Sequence, residues 1–135
     1  MKMWSGRFRQ PLDPDFERWQ RSFPFDRRLL GEELSASKAH ARALSGIGVL
    51  SAEELKQIEA GLQAIAQHAA SQADYLHDEE AEDVHHFVEK ELVAQIGEVG
   101  YKLHSGRSRN EQIATDLRLH IRTNIDHLHL LLTGL

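Results

Sequence analysis

One stretch carries the densest chemistry in the chain: Lys102-Leu103-His104-Ser105-Gly106-Arg107-Ser108-Arg109-Asn110-Glu111. Glycine and serine make a loop that feeds a helix start. A helix start offers backbone N–H groups and the positive end of the helix dipole to an anion. Arg107 and Arg109 add forked guanidinium donors that match carboxylates and phosphates. Asn110 adds a neutral amide that both donates and accepts. These residue types in this order make a candidate oxyanion site. They suit a solvated polar loop ahead of a helix equally well, and composition does not choose between the two.

A second stretch is Glu82-Asp83-Val84-His85-His86-Phe87-Val88-Glu89. On a helix, His85 and Glu89 share a face at i, i+4, and Glu82 stands three residues before His85. A carboxylate beside a histidine orients the imidazole and raises its pKa, as general acid–base chemistry requires. As a metal site the pattern is poor. His85 and Glu89 supply at most two ligands and no matching pair stands out elsewhere, so no metal is assigned. The plain alternative is an amphipathic helix with a polar face. His120, His127 and His129 are expected at a surface or interface. Ser22, taken alone, reads as a turn residue without chemistry.

The elements that must position these residues are helical. Residues 1–12 show no periodicity and read as an extended arm anchored by Trp4 and Phe8. Asp13-Pro14 marks a helix start, and the helix through Phe16 and Trp19 should stop before Pro24. Asp26 is expected to cap the next helix, whose stripe is Leu30, Leu34, Ala41 and Leu44 until Gly46 and Gly48 break it. Ser51 and Glu54 form a capping box ahead of Leu55, Ile58, Leu62, Ile65 and Ala69, a helix to about residue 72. An acidic loop covers residues 73–81. Val84, Val88, Leu92 and Ile96 make the next helix, ended by Gly97 and Gly100, and residues 101–108 read as a loop. Ser108 and Glu111 form a second capping box. The last helix follows with Ile113, Leu117, Ile121, Ile125, Leu128 and Leu132. No useful β alternation occurs, so the class is all-α. The final apolar run, Leu128 to Leu135, has no stop signal and wants burial on most faces, inside a longer protein or an oligomeric bundle.

Composition narrows the function classes. The chain has 135 residues, 41% of them hydrophobic and 27% charged, the mix of a soluble globular domain. With no cysteine, a disulfide framework and a thiolate metal site are both excluded. A formal net charge of −5 argues against nucleic-acid binding. No apolar run approaches a membrane span and the first residues lack the apolar core of a signal peptide, so a cytoplasmic protein is expected.

Taken together, four segments resemble those of argininosuccinate lyases. Trp4-Ser5-Gly6-Arg7-Phe8 resembles their Trp-Gly-Gly-Arg-Phe motif, and Phe25-Asp26-Arg27-Arg28-Leu29 resembles the opening of their first long helix. Glu82-Asp83-Val84-His85 resembles their Glu-Asp-Ile/Val-His motif. Leu103-His104-Ser105-Gly106-Arg107-Ser108-Arg109-Asn110-Glu111-Gln112 resembles their Leu-His-Thr-Gly-Arg-Ser-Arg-Asn-Asp-Gln motif. The departures are Ser5 for Gly, Ser105 for Thr and Glu111 for Asp. Ser105 keeps a hydroxyl and Glu111 keeps the charge, whereas Ser5 has less backbone freedom than glycine.

The resemblance implies the fumarase/aspartase-like fold, with an N-terminal helical domain over residues 1–110 and the start of a long bundle helix over residues 111–135. It implies reversible cleavage of argininosuccinate to arginine and fumarate without metal or organic cofactor, in a homotetramer whose active sites combine several subunits. It also implies that the chain corresponds to the leading part of such an enzyme. The family's acid–base histidine, in a Thr-His motif, and its serine, on a Gly-Ser-Ser loop, lie downstream, and neither motif occurs here. Catalytic residues are therefore expected outside this chain, which alone should be inactive. By resemblance, Ser22, Arg109 and Asn110 match substrate-contacting positions, and Arg107, Asp83 and His85 match positions near the pocket. A non-catalytic helical assembly module, as in the related lens crystallins, is the competing reading, and adenylosuccinate lyase is a weaker third; the Gly-Arg-Ser-Arg-Asn run favours the arginine branch. Release of fumarate separates an enzyme from a module.

Overall fold

The computed structural model describes residues 13–135. The expected arm, Trp4 and Phe8 lie outside the described residues. Helix α1 (Pro14–Gln20) begins where the sequence places it: the Asp13 carboxylate accepts the N–H groups of Asp15 and Phe16 at 3.0 and 3.1 Å, and Pro14 fills the first turn. It buries no side chain. The chain leaves the helix at Arg21, ahead of Pro24 as expected, then turns once through α2 (Phe23–Asp26) and a 3-10 turn, Arg27–Leu29, into α3 (Leu30–Gly46).

That continuous run corrects one expectation. Asp26 does not cap α3. Its carboxylate instead accepts the Val84 N–H at 3.0 Å and so caps α5 from a distance.

Three helices make the core. α3 contributes Leu30, Leu34, Ala41 and Leu44. α4 (Ala52–Ser71) opens on the expected capping box, with the Glu54 N–H donating to Ser51 Oγ at 3.2 Å and the Ser51 N–H to Glu54 Oε2 at 2.9 Å. It adds Ile58, Leu62 and Ile65. α5 (Val84–Ile96) adds Val84, Phe87, Val88 and Leu92. Phe23 closes one end by stacking on Phe87 at 4.9 Å between ring centres, and Tyr75 meets the same ring edge-on at 5.4 Å. Every regular element among the described residues is helical, which bears out the all-α class.

Gly97 ends α5 with φ of +69°, a conformation that favours glycine. The residues after it differ from expectation. Gly97–His104 is not a loop start but a run of 3-10 turns laid along α5, and the true loop shrinks to residues 105–108. Gly100 makes that contact possible, because a Cβ there would stand 2.9 Å from Val93 Cγ2 and 3.1 Å from the Val93 backbone. α6 (Arg109–Thr133) follows its own capping box at Ser108 and Glu111. It buries only Gln112 and Asp116. Its apolar stripe faces outward, with Ile113, Leu117, Ile121, Ile125, Leu128 and Leu132 all 46% exposed or more.

The close approach at Gly100 is testable. Gly100→Ala is expected to destabilise the chain by about 1–3 kcal/mol in urea unfolding, since the neighbour that must yield is α5 backbone. Gly31→Ala, where an added Cβ meets nothing within 4 Å, is the control. It should be neutral or stabilising by at most about 1 kcal/mol.

Candidate functional site

The N-terminus of α5 gathers residues that the sequence scatters. Asp83 is its N-cap, accepting the His86 N–H at 2.7 Å. The same carboxylate pairs with Arg109, from the first turn of α6, through both of its oxygens. On the other side, the Ser22 N–H donates to the Glu82 carbonyl at 2.9 Å, and Ser22 Oγ donates to Asp26 Oδ2 at 2.6 Å. Burial lifts the Asp26 carboxyl above its ordinary range, against the lowering hydrogen bond from Ser22. Ser22, Asp83 and Arg109 therefore surround one helix start, with Ser22 exposed and the other two partly buried.

Arg107 and His85 belong to a second, deeper cluster. At its centre is Glu33 on α3, 1% exposed. Glu33 Oε2 accepts His85 Nδ1–H at 2.7 Å. Glu33 Oε1 accepts Ser37 Oγ–H at 2.7 Å and Gln112 Nε2–H at 3.2 Å. Arg107 donates to Ser37 Oγ at 3.1 Å and lies 3.8 Å from Glu33. Burial alone would raise the Glu33 carboxyl, but the hydrogen bond and charge of His85, with Ser37 and Arg107, hold it below the ordinary carboxylate range.

Asp116, fully buried on α6, completes the group, with Oδ2 at 3.8 Å from His85 Nδ1. Neither of its oxygens has a hydrogen-bond partner among the described residues. Burial and the adjacent Glu33 push its carboxyl up to about 8. A narrow crevice of about 10 Å³, lined by Glu33, His85, Glu89, His104, Arg107, Arg109 and Gln112, separates the two clusters. That is room for about one water.

The expected site residues thus divide. Ser22, Asp83 and Arg109 meet around α5, while Arg107 and His85 turn inward to Glu33. Asn110 is exposed on the first turn of α6. The partner expected for His85 was Glu89 or Glu82; it is Glu33, because α3 packs against this face of α5. The helix start is also less open than expected. Its own capping box uses the Asn110 N–H, which donates to Ser108 Oγ at 3.2 Å, and the Ser108 N–H, which donates to Glu111 at 2.8 Å. Attraction for an anion therefore rests chiefly on the side chains.

Glu33, Ser37, Gln112 and Asp116 escaped the sequence reading. A signal existed for two of them: Glu33 and Ser37 interrupt the apolar stripe of α3 at positions that must face inward. Gly106, with φ of +71°, lets the loop turn between Ser105 and Arg107, and His40 Nε2 holds the Ser105 carbonyl at 3.0 Å.

The double duty of Asp83 can be separated by substitution. Asp83→Asn keeps an N-cap and loses the charge, whereas Asp83→Ala loses both. In urea unfolding the alanine variant is expected to be less stable than the asparagine variant by about 0.5–2 kcal/mol, the range for a lost N-cap. Equal stabilities would show that the cap contributes nothing.

Comparison with known proteins shows which family the chain is similar to. A protein-family model described as "Lyase" matches residues 6–135. The chain is 62% identical over 132 residues to an argininosuccinate lyase of Koribacter versatilis, covering 98% of this chain and 28% of that protein. It is 54% identical over 133 residues to one of Acidobacterium capsulatum, covering 95% and 27%. It is 51% identical over 123 residues to one of a Synechococcus strain, covering 91% and 25%. The chain spans only about a quarter of the length of these relatives. No helix among the described residues is long and apolar enough to cross a membrane. With the family model matched along almost its whole length, the chain belongs to the lyase family.

Proposed function

We propose that this chain is the N-terminal, substrate-binding part of an argininosuccinate lyase, the enzyme that cleaves argininosuccinate reversibly to arginine and fumarate in arginine biosynthesis. The observation that carries the reading is the meeting of Ser22, Asp83 and Arg109 around one helix start, Asp83 and Arg109 from two segments that each resemble that family and Ser22 from a position that matches one of its substrate contacts. The names of the relatives point the same way.

The reaction is a β-elimination. A base takes a proton from the succinyl carbon beside a carboxylate, negative charge accumulates on that carboxylate, and the guanidino group leaves after gaining a proton. So weakly acidic a C–H bond yields only where preorganised donors meet the growing charge. Arg109 and Asn110 supply donors at the start of α6, and Ser22 supplies a hydroxyl across the start of α5. Asp83 holds the Arg109 guanidinium in place before substrate arrives, which lowers the ordering cost of binding. Arg107 and His85 support the turn from within. The acid and base come from residues beyond this chain.

Residues 1–110 are read as the N-terminal domain and residues 111–135 as the start of a bundle helix. Beyond His120, whose Nδ1 bonds Glu32 at 3.0 Å, α6 has no further contact with α3 through a hydrogen bond or ion pair. Its outward stripe supports assembly with other copies; that the assembly is a homotetramer in the cytoplasm is part of the proposal and follows from the resemblance.

The test is a chimera in which this chain replaces the matching N-terminal segment of the Koribacter versatilis relative. The 135-residue chain alone should release no fumarate, followed by its ultraviolet absorbance. The chimera should release it. Arg109→Met in the chimera should lower kcat/KM by about a hundredfold, the loss of a charge-assisted contact worth about 3 kcal/mol. An unchanged kcat/KM for that variant would remove Arg109 from the substrate site.

A further inference from the structure

Of the buried group Glu33, His85 and Asp116, the reading above uses only His85, although the atoms of all three crowd together. Glu33 Oε2, His85 Nδ1 and Asp116 Oδ2 all lie within 4.8 Å of one another. Three side chains already donate to Glu33, so its charge is well supported. Asp116 has no hydrogen-bond donor among the described residues. Two carboxylates in one buried site do not both stay ionised. The missing partner of Asp116 is supplied most simply by its own proton, which turns the acid into a donor facing Glu33.

A divalent cation is the rival occupant, since the three ligand atoms would suit one. Arg107 argues against it: the guanidinium already stands 3.8 Å from Glu33, and a second cation beside it is repelled.

We infer that Glu33 and Asp116 hold one proton between them, and that this shared proton positions the turn carrying Arg107, Arg109 and Asn110. Asp116 and Gln112 are the buried residues of α6, so this contact fixes where the helix begins. Glu33 also reaches Arg107 through Ser37. Loss of the proton sets two anions against each other between α3 and α6. The charged groups facing them are Glu32 on α3, His85 and Glu89 on α5, Arg107 and Arg109 at the helix start, and His120 on α6, which pairs with Glu32. Both carboxylates are thus positioning residues, acting on substrate only through the turn. The inference deepens the proposed function and rests on it for its consequence in binding.

The sign follows from the direction of the shift. The Asp116 carboxyl is raised to about 8 in the fold, so its contribution is fully present below the ordinary aspartate range and fades as pH rises through about 8. Two readouts test it. In the 135-residue chain, backbone amide NMR signals of residues 107–112 should titrate with a midpoint near 8, and Asp116→Asn, which keeps a neutral donor toward Glu33, should abolish that titration. In the chimera, apparent KM should rise about tenfold from pH 7 to pH 9 as the competent, protonated fraction falls, and the asparagine variant should show no such rise.

A titration surviving in Asp116→Asn overturns the inference. So does zinc or manganese raising the Tm of the unsubstituted chain but not of the variant. If the NMR titration behaves as expected while the chimera releases no fumarate, the shared proton stands and the proposed function falls.

Discussion

Two buried carboxyl groups packed side by side impose a condition on everything around them: one must be neutralised, and the other must be surrounded by donors. Glu33 and Asp116 meet that condition at the junction of α3, α5 and α6. His85, Ser37 and Gln112 all spend their hydrogen-bonding groups on Glu33. Each comes from a different place in the chain, so the junction forms only when the three helices are already in register. Removing one partner would leave a buried charge exposed to its neighbour, which costs far more than a surface ion pair.

The consequence for α6 is an inversion of the usual amphipathic rule. Helices in a globular domain turn apolar residues inward. α6 turns Gln112 and Asp116 inward and leaves its leucine and isoleucine stripe to solvent. The polar junction holds its first turns, and the apolar stripe is left for other surfaces. An exposed apolar face of this extent marks an interaction site. The two faces divide the work: one fixes the helix start against its own domain, the other is open to assembly.

At that helix start the arginines are not free cations. Arg109 is held by Asp83 and Arg107 by Ser37 and Glu33. An arriving carboxylate would share rather than find them unengaged. This restrains the side chains before binding and weakens attraction for stray anions. Asp83 also caps α5, so the same carboxylate that restrains Arg109 defines the end of the helix bearing His85.

What the sequence determined by itself was everything settled within a turn of helix. Asp13, the Ser51–Glu54 box, the Ser108–Glu111 box and Gly97 act on backbone groups no more than a few residues away, so residue type and spacing were sufficient to place the starts and ends of helices. The stripes of α3, α4 and α5 were legible for the same reason, and so were the motif residues that the resemblance singled out. Tertiary structure decided the partners. Glu33 meets His85 across 52 residues and Gln112 across 79, and Asp26 caps a helix 58 residues away. Electrostatic and hydrogen-bonding partners depend on distance in space, which the packing of α3, α5 and α6 sets and no local pattern encodes. Asp116, polar on a helix with an apolar stripe, could only be known as buried once that packing had turned its face inward.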